Sequence, residues 1–401
     1  MTCPDANLSQ TPAQWALRWH GTVLVAALLA AAPLLHLGWH GLLGRPEPML
    51  PTRSQLPSPP IAAATLLDGS WMQQFERHLR EQTPLTWWLR GSWNELRYHA
   101  GVPRSPQVHF GRDEWFFIAE SVWPDRAAWE RATPTRRAFL AAVRDAVAKA
   151  GAELFLVVVP DKARVYPDLC YEGGVMPAQQ RDNYAAILAE LGALGIPTVD
   201  LASAMAAARQ AEPATELYYR RDTHWRPQGA LVAGRTVAAA LEARYGAALG
   251  ERVPMALSGV TSVRSVGDLP ANLGIKTVEL ADPGRDRRTV PLSLLAERLA
   301  ETRDYYGVEL RLPTGTVAMD GKDPNASVLW LGTSFSEENG ANAAALFLGR
   351  PLRTVIARGA VGMQPLRQAQ DELQRGTKAK VVVWELVERG LFDAVWHAPQ
   401  W

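Results

Sequence analysis

The chain has little cysteine and almost no net charge, and both shortages narrow its possible functions. Its 401 residues include two cysteines, Cys3 and Cys170, and contain no CxxC motif or cluster of cysteine and histidine. We therefore expect no zinc site of that kind. We also expect no intramolecular disulfide, because Cys3 lies in a predicted cytoplasmic tail and the two cysteines would fall on opposite sides of a membrane. The formal net charge is +1, with acidic and basic residues mixed along the sequence. Because it lacks a basic stripe, nucleic acid is not an expected partner.

Apolar and aromatic residues, by contrast, are plentiful. Hydrophobic residues make up 47% of the chain, which is enough for a substantial core. The length suits two or three domains, or one large domain with additions. The 15 tryptophans are unusual for this length. Their rings can fill a core or stack on the C–H faces of sugars, so a carbohydrate-binding surface is one interpretation.

An apolar stretch lies near the start of the sequence. Residues 21–43 are mostly apolar, and their number is close to the roughly 20 that a membrane-spanning helix needs. Arg18 precedes the stretch and favours a cytoplasmic N-terminus. We predict a cytoplasmic tail (residues 1–20), an uncleaved anchor (21–43) and a proline-rich linker (44–65), with the remaining chain outside the cytoplasmic membrane. A cleaved signal peptide and a buried core helix are the alternatives.

Beyond the linker, the sequence predicts a helical segment over residues 66–106 and a domain over 107–401. The domain begins with a hairpin over residues 108–118. It continues with helices at 136–150, 178–194, 227–245, 339–348 and 365–374, and strands at 154–159, 197–201, 327–331, 353–357 and 380–384. Apolar strands that alternate with helices are typical of an α/β fold with a mostly parallel sheet covered on both faces. Residues 250–325 interrupt this pattern and are predicted to form an irregular insertion.

Two short motifs carry the chemistry that this fold could support. Ser334 follows a predicted strand, and ligand sites collect at the carboxyl ends of parallel strands. A serine hydroxyl needs a base within hydrogen-bond reach to act as a nucleophile, and His224 is the best candidate. Asp222 lies two residues before His224, so in an extended segment both side chains point to one side and the carboxylate can orient the imidazole. The alternatives are a helix-capping aspartate beside a surface histidine, and a metal site that would need a third ligand.

These motifs and several others resemble a known family. The match rests on residues 108–117, 158–162, 221–225 with Gly229, 267–269, 331–335, 384–385 and 388–389. They resemble the SGNH-hydrolase-like polysaccharide O-acetyltransferases of the alginate acetylation type, AlgJ and AlgX. As in that family, the Asp/His pair precedes the serine, the reverse of the order in ordinary SGNH esterases.

The resemblance implies a fold, a reaction and a set of partners. It implies an SGNH-like α/β/α sandwich in which Ser334 is the nucleophile, His224 the general base and Asp222 its orienting acid. The implied reaction, without a cofactor or metal, moves acetyl groups onto hydroxyls of an exopolysaccharide. The domain would lie in the bacterial periplasm, anchored in the inner membrane, and would receive acetyl from a membrane-bound O-acyltransferase. A carbohydrate acetylesterase and a non-catalytic anchored component of an export or modification complex are the alternatives.

Further candidate residues are ambiguous at this stage. Asn339, or its neighbour Asn342, is a candidate oxyanion donor or a helix-surface residue. Arg389 is a candidate substrate contact, or forms a structural ion pair with Glu385 or Glu388. Lys162 is likewise either a substrate contact or part of the turn that ends a strand.

Overall fold

The computed structural model describes residues 84–101, 107–273, 275, 277–282, 285–291, 298–357 and 363–392. The predicted tail, anchor and linker lie outside these ranges, as do residues 66–83 and 102–106 of the predicted helical segment. In the part of the chain that is described, no helix is both long and apolar enough to cross a bilayer.

Helices and strands alternate along most of the described chain. The longer helices are α1 (Pro84–His99), α2 (Arg126–Lys149), α3 (Ala178–Ala193), α4 (Leu201–Ala211), α5 (Pro227–Tyr245), α6 (Ala341–Leu348) and α7 (Met363–Arg375). The strands are β1 (Val108–Phe110), β2 (Phe116–Ile118), β3 (Glu153–Val159), β4 (Met255–Ser265), β5 (Thr277–Asp282), β6 (Arg285–Pro291), β7 (Glu301–Leu312), β8 (Gly315–Ala318), β9 (Val328–Gly332), β10 (Leu352–Ile356) and β11 (Val381–Val387). Single turns of helix lie at Ala119–Val122, Lys162–Val165, Pro167–Cys170, Glu172–Gly174, Gly246–Leu249, Asp268–Asn272, Ser336–Gly340 and Glu388–Phe392.

The described residues fall into two compact units. The smaller unit contains residues 84–95 of α1 and the antiparallel hairpin of β5 and β6. The larger unit contains all the other described residues, including the sheets discussed below.

The larger unit is built on a four-stranded parallel sheet in the order β10–β9–β11–β3. Alternate residues of its strands face opposite layers of helices, as the pleat of a strand requires. Leu154, Leu156 and Val158 of β3 pack in a cluster with buried residues of α2, α3 and α7. Phe155 and Val157 belong to a second cluster, which contains residues of α4, α5 and α6. The predicted parallel sheet covered on both faces is confirmed.

Most predicted elements of this sheet are confirmed, with two local corrections. The predicted strand at residues 197–201 is wrong: it is reduced to one parallel bridge between Thr198 and Leu156, and α4 begins at Leu201. Helix α2 begins at Arg126 instead of residue 136, because the Asp125 side chain caps its first turn by accepting a hydrogen bond from Ala128 N (2.9 Å).

Residues 250–325 are not irregular, and that prediction is wrong for the described part. Strands β4, β7 and β8 form an antiparallel sheet in the order β4–β7–β8, with a register shift between Ser258 and Val260. Most residues of β4 and all of β8 are exposed, so apolar residues do not form the runs that mark a buried strand. The sheet connects α5 to β9, as expected of an insertion.

Candidate functional site

The candidate nucleophile lies at the carboxyl end of β9, which places it at the edge of the parallel sheet. The strand ends at Gly332, and Ser334 is partly exposed two residues later. A Cβ at Gly332 would lie 2.2 Å from Ser336 Oγ, so the tight turn requires glycine. We call residues 333–339 the nucleophile turn.

A fully buried carboxylate on the neighbouring strand braces this turn. Glu385 of β11 is 0% exposed and accepts hydrogen bonds from Thr333 N (3.1 Å), the Thr333 hydroxyl and the Ser336 hydroxyl. Ser336 Oγ in turn accepts from Trp330 Nε1 (2.6 Å). Burial raises the pKa of Glu385, and the three donors oppose that rise. Because the contacts around the carboxylate supply hydrogens to it, they suit its ionised form.

The base lies in a short series of bends that precedes α5, so the extended backbone that was expected for Asp222 and His224 is wrong. The segment forms an antiparallel bridge between Trp225 and Tyr218. His224 Nδ1 lies 2.5 Å from Asp222 Oδ1, which also accepts from His224 N (2.9 Å). His224 Nε2 lies 2.7 Å from Ser334 Oγ. The structure therefore brings together all three residues of the predicted triad, although Ser334 follows His224 by 110 positions. We call residues 222–225 the base segment.

The charges around the pair favour an ionised Asp222. Its side chain is 1% exposed, and Oδ2 accepts from Asp268 N (2.9 Å) and Arg303 Nη1 (2.9 Å). Burial alone would raise the pKa of Asp222, but the charge and hydrogen bonds of His224 together with Arg303 hold it well below its usual range. Burial lowers the pKa of His224, yet Asp222 outweighs this effect and the pKa is raised. Asp222 is thus placed to stabilise a protonated imidazole at His224.

A second carboxylate besides Asp222, that of Asp268, lies near His224, and the sequence did not assign it to the site. It accepts from Thr223 N (2.8 Å) and from the Thr223 hydroxyl, and Oδ2 lies 3.9 Å from His224 Nδ1. Ligand atoms of Asp222, His224 and Asp268 lie within 4.8 Å of one another, so the third metal ligand that was expected to be missing is available. However, each carboxylate oxygen of this group already accepts a hydrogen bond, and the cation beside Asp222 is Arg303. The arrangement suits a hydrogen-bonded triad better than a metal centre.

Lys162 supports the base segment from behind. Its ammonium group, in a side chain that is 4% exposed, donates to the carbonyl oxygens of Tyr219 (3.1 Å), Arg220 (3.0 Å) and Asp222 (2.8 Å). A lysine has three donors, and these contacts use all of them. Burial lowers the pKa of Lys162 to about 8. The suggested substrate contact is wrong for this arrangement, because no donor is left for a ligand.

Arg389 is bound to a different acid from those that were suggested. Its Nη1 lies 2.9 Å from Asp161 Oδ1, whereas Glu388 pairs with Arg164 at 2.5 Å. Burial raises the pKa of Asp161 to about 7, although Arg389 opposes that rise. Arg389 therefore belongs to a buried ionic cluster at the ends of β3 and β11, which favours a structural ion pair over a substrate contact.

The two asparagines attach the nucleophile turn and α6 to β7. Asn339 is 2% exposed, so the interpretation as a helix-surface residue is wrong. Its Oδ1 accepts from Tyr306 N (2.9 Å) and its Nδ2 donates to Asp304 O (3.0 Å). Asn342 Nδ2 donates to Tyr306 O (2.8 Å). Both polar atoms of the Asn339 side-chain amide bond to β7, which favours a structural role over donation to an oxyanion.

Sequence reasoning missed Glu385 and Arg303 as parts of the site. Glu385 has a recognisable signal, because it is a charged residue within the apolar strand VVVWELV. Such a residue needs buried partners, which points to a site at the strand's edge. Arg303 has no comparable signal, since it lies in a strand of mixed polarity. Only the pairing of β7 with its neighbours brings it to Asp222.

Comparison with known proteins gives a consistent result. Residues 108–388 match the family model described as "SGNH hydrolase-like domain, acetyltransferase AlgX". A "Probable alginate O-acetylase AlgJ" of Pseudomonas syringae pv. tomato is 28% identical over 356 residues, covering 84% of each chain. The protein of the same name from Pseudomonas aeruginosa is 29% identical and covers 84% of this chain and 86% of its own.

A solved structure supports the same relation. The O-acetyltransferase domain of Pseudomonas putida AlgJ is 26% identical and superposes with a TM-score of 0.55, covering 72% of this chain and 93% of that one. The family model spans well over half of the chain and includes Asp222, His224 and Ser334. The chain therefore belongs to the SGNH hydrolase-like acetyltransferase family of AlgX.

Proposed function

We propose that this protein is a polysaccharide O-acetyltransferase that works through an acetyl-serine intermediate on Ser334. The observation that carries the proposal is the continuous hydrogen-bonded series from Asp222 through His224 to Ser334, with contacts of 2.5 and 2.7 Å. Membership of an acetyltransferase family and relatives named alginate O-acetylases support acetyl as the transferred group and a polysaccharide as the acceptor.

The reaction would proceed in two balanced steps. In the first, Ser334 Oγ attacks the carbonyl carbon of the donor's acetyl ester while His224 Nε2 accepts the serine proton. The donor C–O bond breaks, and His224 returns the proton to the departing oxygen. In the second, a sugar hydroxyl attacks the acetyl-serine, His224 takes the hydroxyl proton, and Ser334 leaves and regains a proton. Asp222 stabilises the imidazolium in both steps.

The proposal includes a location and a donor. Residues 21–43 are apolar enough for an anchor in the bacterial inner membrane, and the catalytic domain would then lie in the periplasm. Acetyl would come from a membrane-bound O-acyltransferase, because acetyl carried by a cytoplasmic thioester has to cross the membrane before Ser334 can accept it. The acceptor would be an exopolysaccharide with free hydroxyls.

A transfer assay separates this reaction from simple hydrolysis. The purified full-length chain is incubated with p-nitrophenyl acetate, with and without oligosaccharides of alginate that carry no acetyl groups. We expect acetylated oligosaccharide by mass spectrometry, and a trapped acetyl group on the peptide that contains Ser334. Release of acetate at an unchanged rate with no acetylated sugar would favour an esterase.

The variant Ser334→Ala tests the nucleophile, with Ser262→Ala on the exposed strand β4 as the matched control. We expect Ser334→Ala to lose both nitrophenol release and the trapped acetyl group, while Ser262→Ala keeps them. Full activity of Ser334→Ala in vitro and full polysaccharide acetylation in cells would contradict the proposal and favour a non-catalytic component.

A further inference from the structure

The antiparallel sheet contributes the charged side chain of Arg303 to the candidate active site. Arg303 lies on β7, and its side chain is 11% exposed. Directly opposite, on β4, lies Val263. The guanidinium lies 5.3 Å from the centre of the ring of Tyr219, whose backbone N donates to His224 O (3.1 Å). Arg303 is therefore enclosed by the site and not directed to solvent.

Its two terminal nitrogens reach two different parts of the site. Nη1 lies 2.9 Å from Asp222 Oδ2 in the base segment. Nη2 lies 2.6 Å from Glu338 Oε1 in the nucleophile turn. Tyr305, two residues along β7, donates its hydroxyl to the same Glu338 oxygen (3.1 Å). One planar group thus joins the segment that carries the base to the turn that carries Ser334.

A second contact joins the same two segments. Trp225 Nε1, next to His224, donates to the backbone oxygen of Glu338 (2.7 Å). The His224–Ser334 contact therefore lies beside two links between residues that are far apart in sequence. A displacement of about 1 Å between them would break the hydrogen bond on which proton transfer depends.

The charge of Arg303 matters as much as its shape. Asp222 is buried, and a buried carboxylate is stable only when its charge is compensated. His224 and Asp222 are surrounded by several other charged groups: Asp268, Glu338, Glu385, Lys162 and Arg303. Most of these neighbours are acidic and favour protonated His224. The guanidinium opposes them, because a cation beside the pair disfavours a second cation on the imidazole.

We propose that Arg303 is a positioning residue that fixes Asp222 against His224, links the base segment to the nucleophile turn, and limits protonation of His224. The inference rests on the function proposed above. It gives the insertion a part in the reaction, because β7 supplies a group without which the triad would lose its geometry and its charge balance.

The test is the pH dependence of p-nitrophenyl acetate cleavage by the full-length chain and three variants. Arg303→Met removes the charge, Arg303→Lys keeps it with a different shape, and Arg311→Met changes an exposed arginine on the same strand. For Arg303→Met we expect the cleavage rate at pH 7 to fall by at least about tenfold. The acidic limb, the pH range over which the rate rises as His224 loses its proton, should shift by about one unit to higher pH. Arg303→Lys should lose rate but keep the limb, and Arg311→Met should match the wild type.

The outcomes separate this inference from the proposed function. A wild-type profile for Arg303→Met would overturn the positioning role. An equal fall in rate at all pH values, with the acidic limb unmoved, would overturn the effect of Arg303 on protonation of His224. If circular dichroism shows that Arg303→Met is unfolded, Arg303→Lys provides the test, and a shift of its acidic limb would overturn the charge argument. If Ser334→Ala keeps the wild-type rate, the proposed function fails whatever the Arg303 variants do.

Discussion

The parallel sheet and the three-stranded antiparallel sheet of the larger unit differ in burial, and they serve the site in different ways. All residues of β9 and β11 are buried, whereas β8 and most of β4 are exposed. The parallel sheet presents Ser334 at the end of β9 and braces its turn through Glu385 of β11. The antiparallel sheet reaches the same site through Arg303 of β7. A sheet whose outer strands are mostly exposed can therefore contribute to a site through its central strand.

The largest expected effect concerns His224, the proposed base for Ser334 at the end of β9. His224→Ala removes the base 2.7 Å from Ser334 Oγ, and the rate of p-nitrophenyl acetate cleavage should fall by about 10⁴-fold. His99→Ala changes an exposed histidine at the end of α1 and should leave the rate unchanged. A His224→Ala enzyme that keeps a tenth of the wild-type rate would rule out this residue as the general base.

The next effect compares a glutamate of each sheet. Glu385→Ala leaves the Thr333 and Ser336 hydroxyls and Thr333 N without their buried acceptor. We expect a loss of about 3 kcal/mol in the free energy of unfolding. Glu309→Ala, on β7, should change it by less than about 0.5 kcal/mol. Urea denaturation measures both values, and equal losses would mean that Glu385 does not brace the turn.

A matched pair of valines compares the packing of the two sheets. Val383 of β11 is 0% exposed and Val260 of β4 is 70% exposed. Val383→Ala should cost about 2 kcal/mol of unfolding free energy, from lost burial and the cavity left behind. Val260→Ala should cost less than about 0.5 kcal/mol. A large cost at Val260 in the same urea titrations would show that the exposed sheet is covered in the folded protein.

The smallest expected effect is the dependence of the cleavage rate on pH, which reports the protonation of His224. The pKa of His224 is raised by Asp222, and only the neutral imidazole can accept the serine proton. Cleavage should therefore increase with pH through a limb above about 6.5, the ordinary value for histidine. Because the pKa of His224 is higher in the folded state than in the unfolded state, protonated His224 stabilises the fold. This contribution is fully present below the unfolded pKa and is lost as pH rises through the folded pKa.

Activity and this part of the stability should then change in opposite directions over the same pH range. Initial rates and unfolding free energies, measured over the same pH range for the wild type, would detect these opposite trends. The variant His224→Gln should lack the pH-dependent part of the unfolding free energy. An acidic limb below pH 6 would contradict the raised pKa.

The fold was largely predictable where burial leaves a pattern in the sequence. The strands of the parallel sheet read as apolar runs, and α5 begins and ends at the predicted residues because Pro227 opens it and its apolar face is regular. The antiparallel sheet was missed because exposure removes that pattern. Helix α4 was missed because its alanine-rich sequence has only two buried residues, Leu201 and Met205.

The residues of the site likewise fall into those with a local pattern in the sequence and those without one. Residues 222–224 and 331–334 show local chemistry, an acid near a histidine and a serine after a strand, so the sequence by itself determined the triad candidates and the parallel sheet that could unite them. Only the tertiary structure decided the partners of Lys162, Arg389, Asn339 and Arg303. Each of these side chains is bound by residues far away in the chain, and long-range pairing of charges and hydrogen bonds leaves no periodic trace in the sequence that forms it.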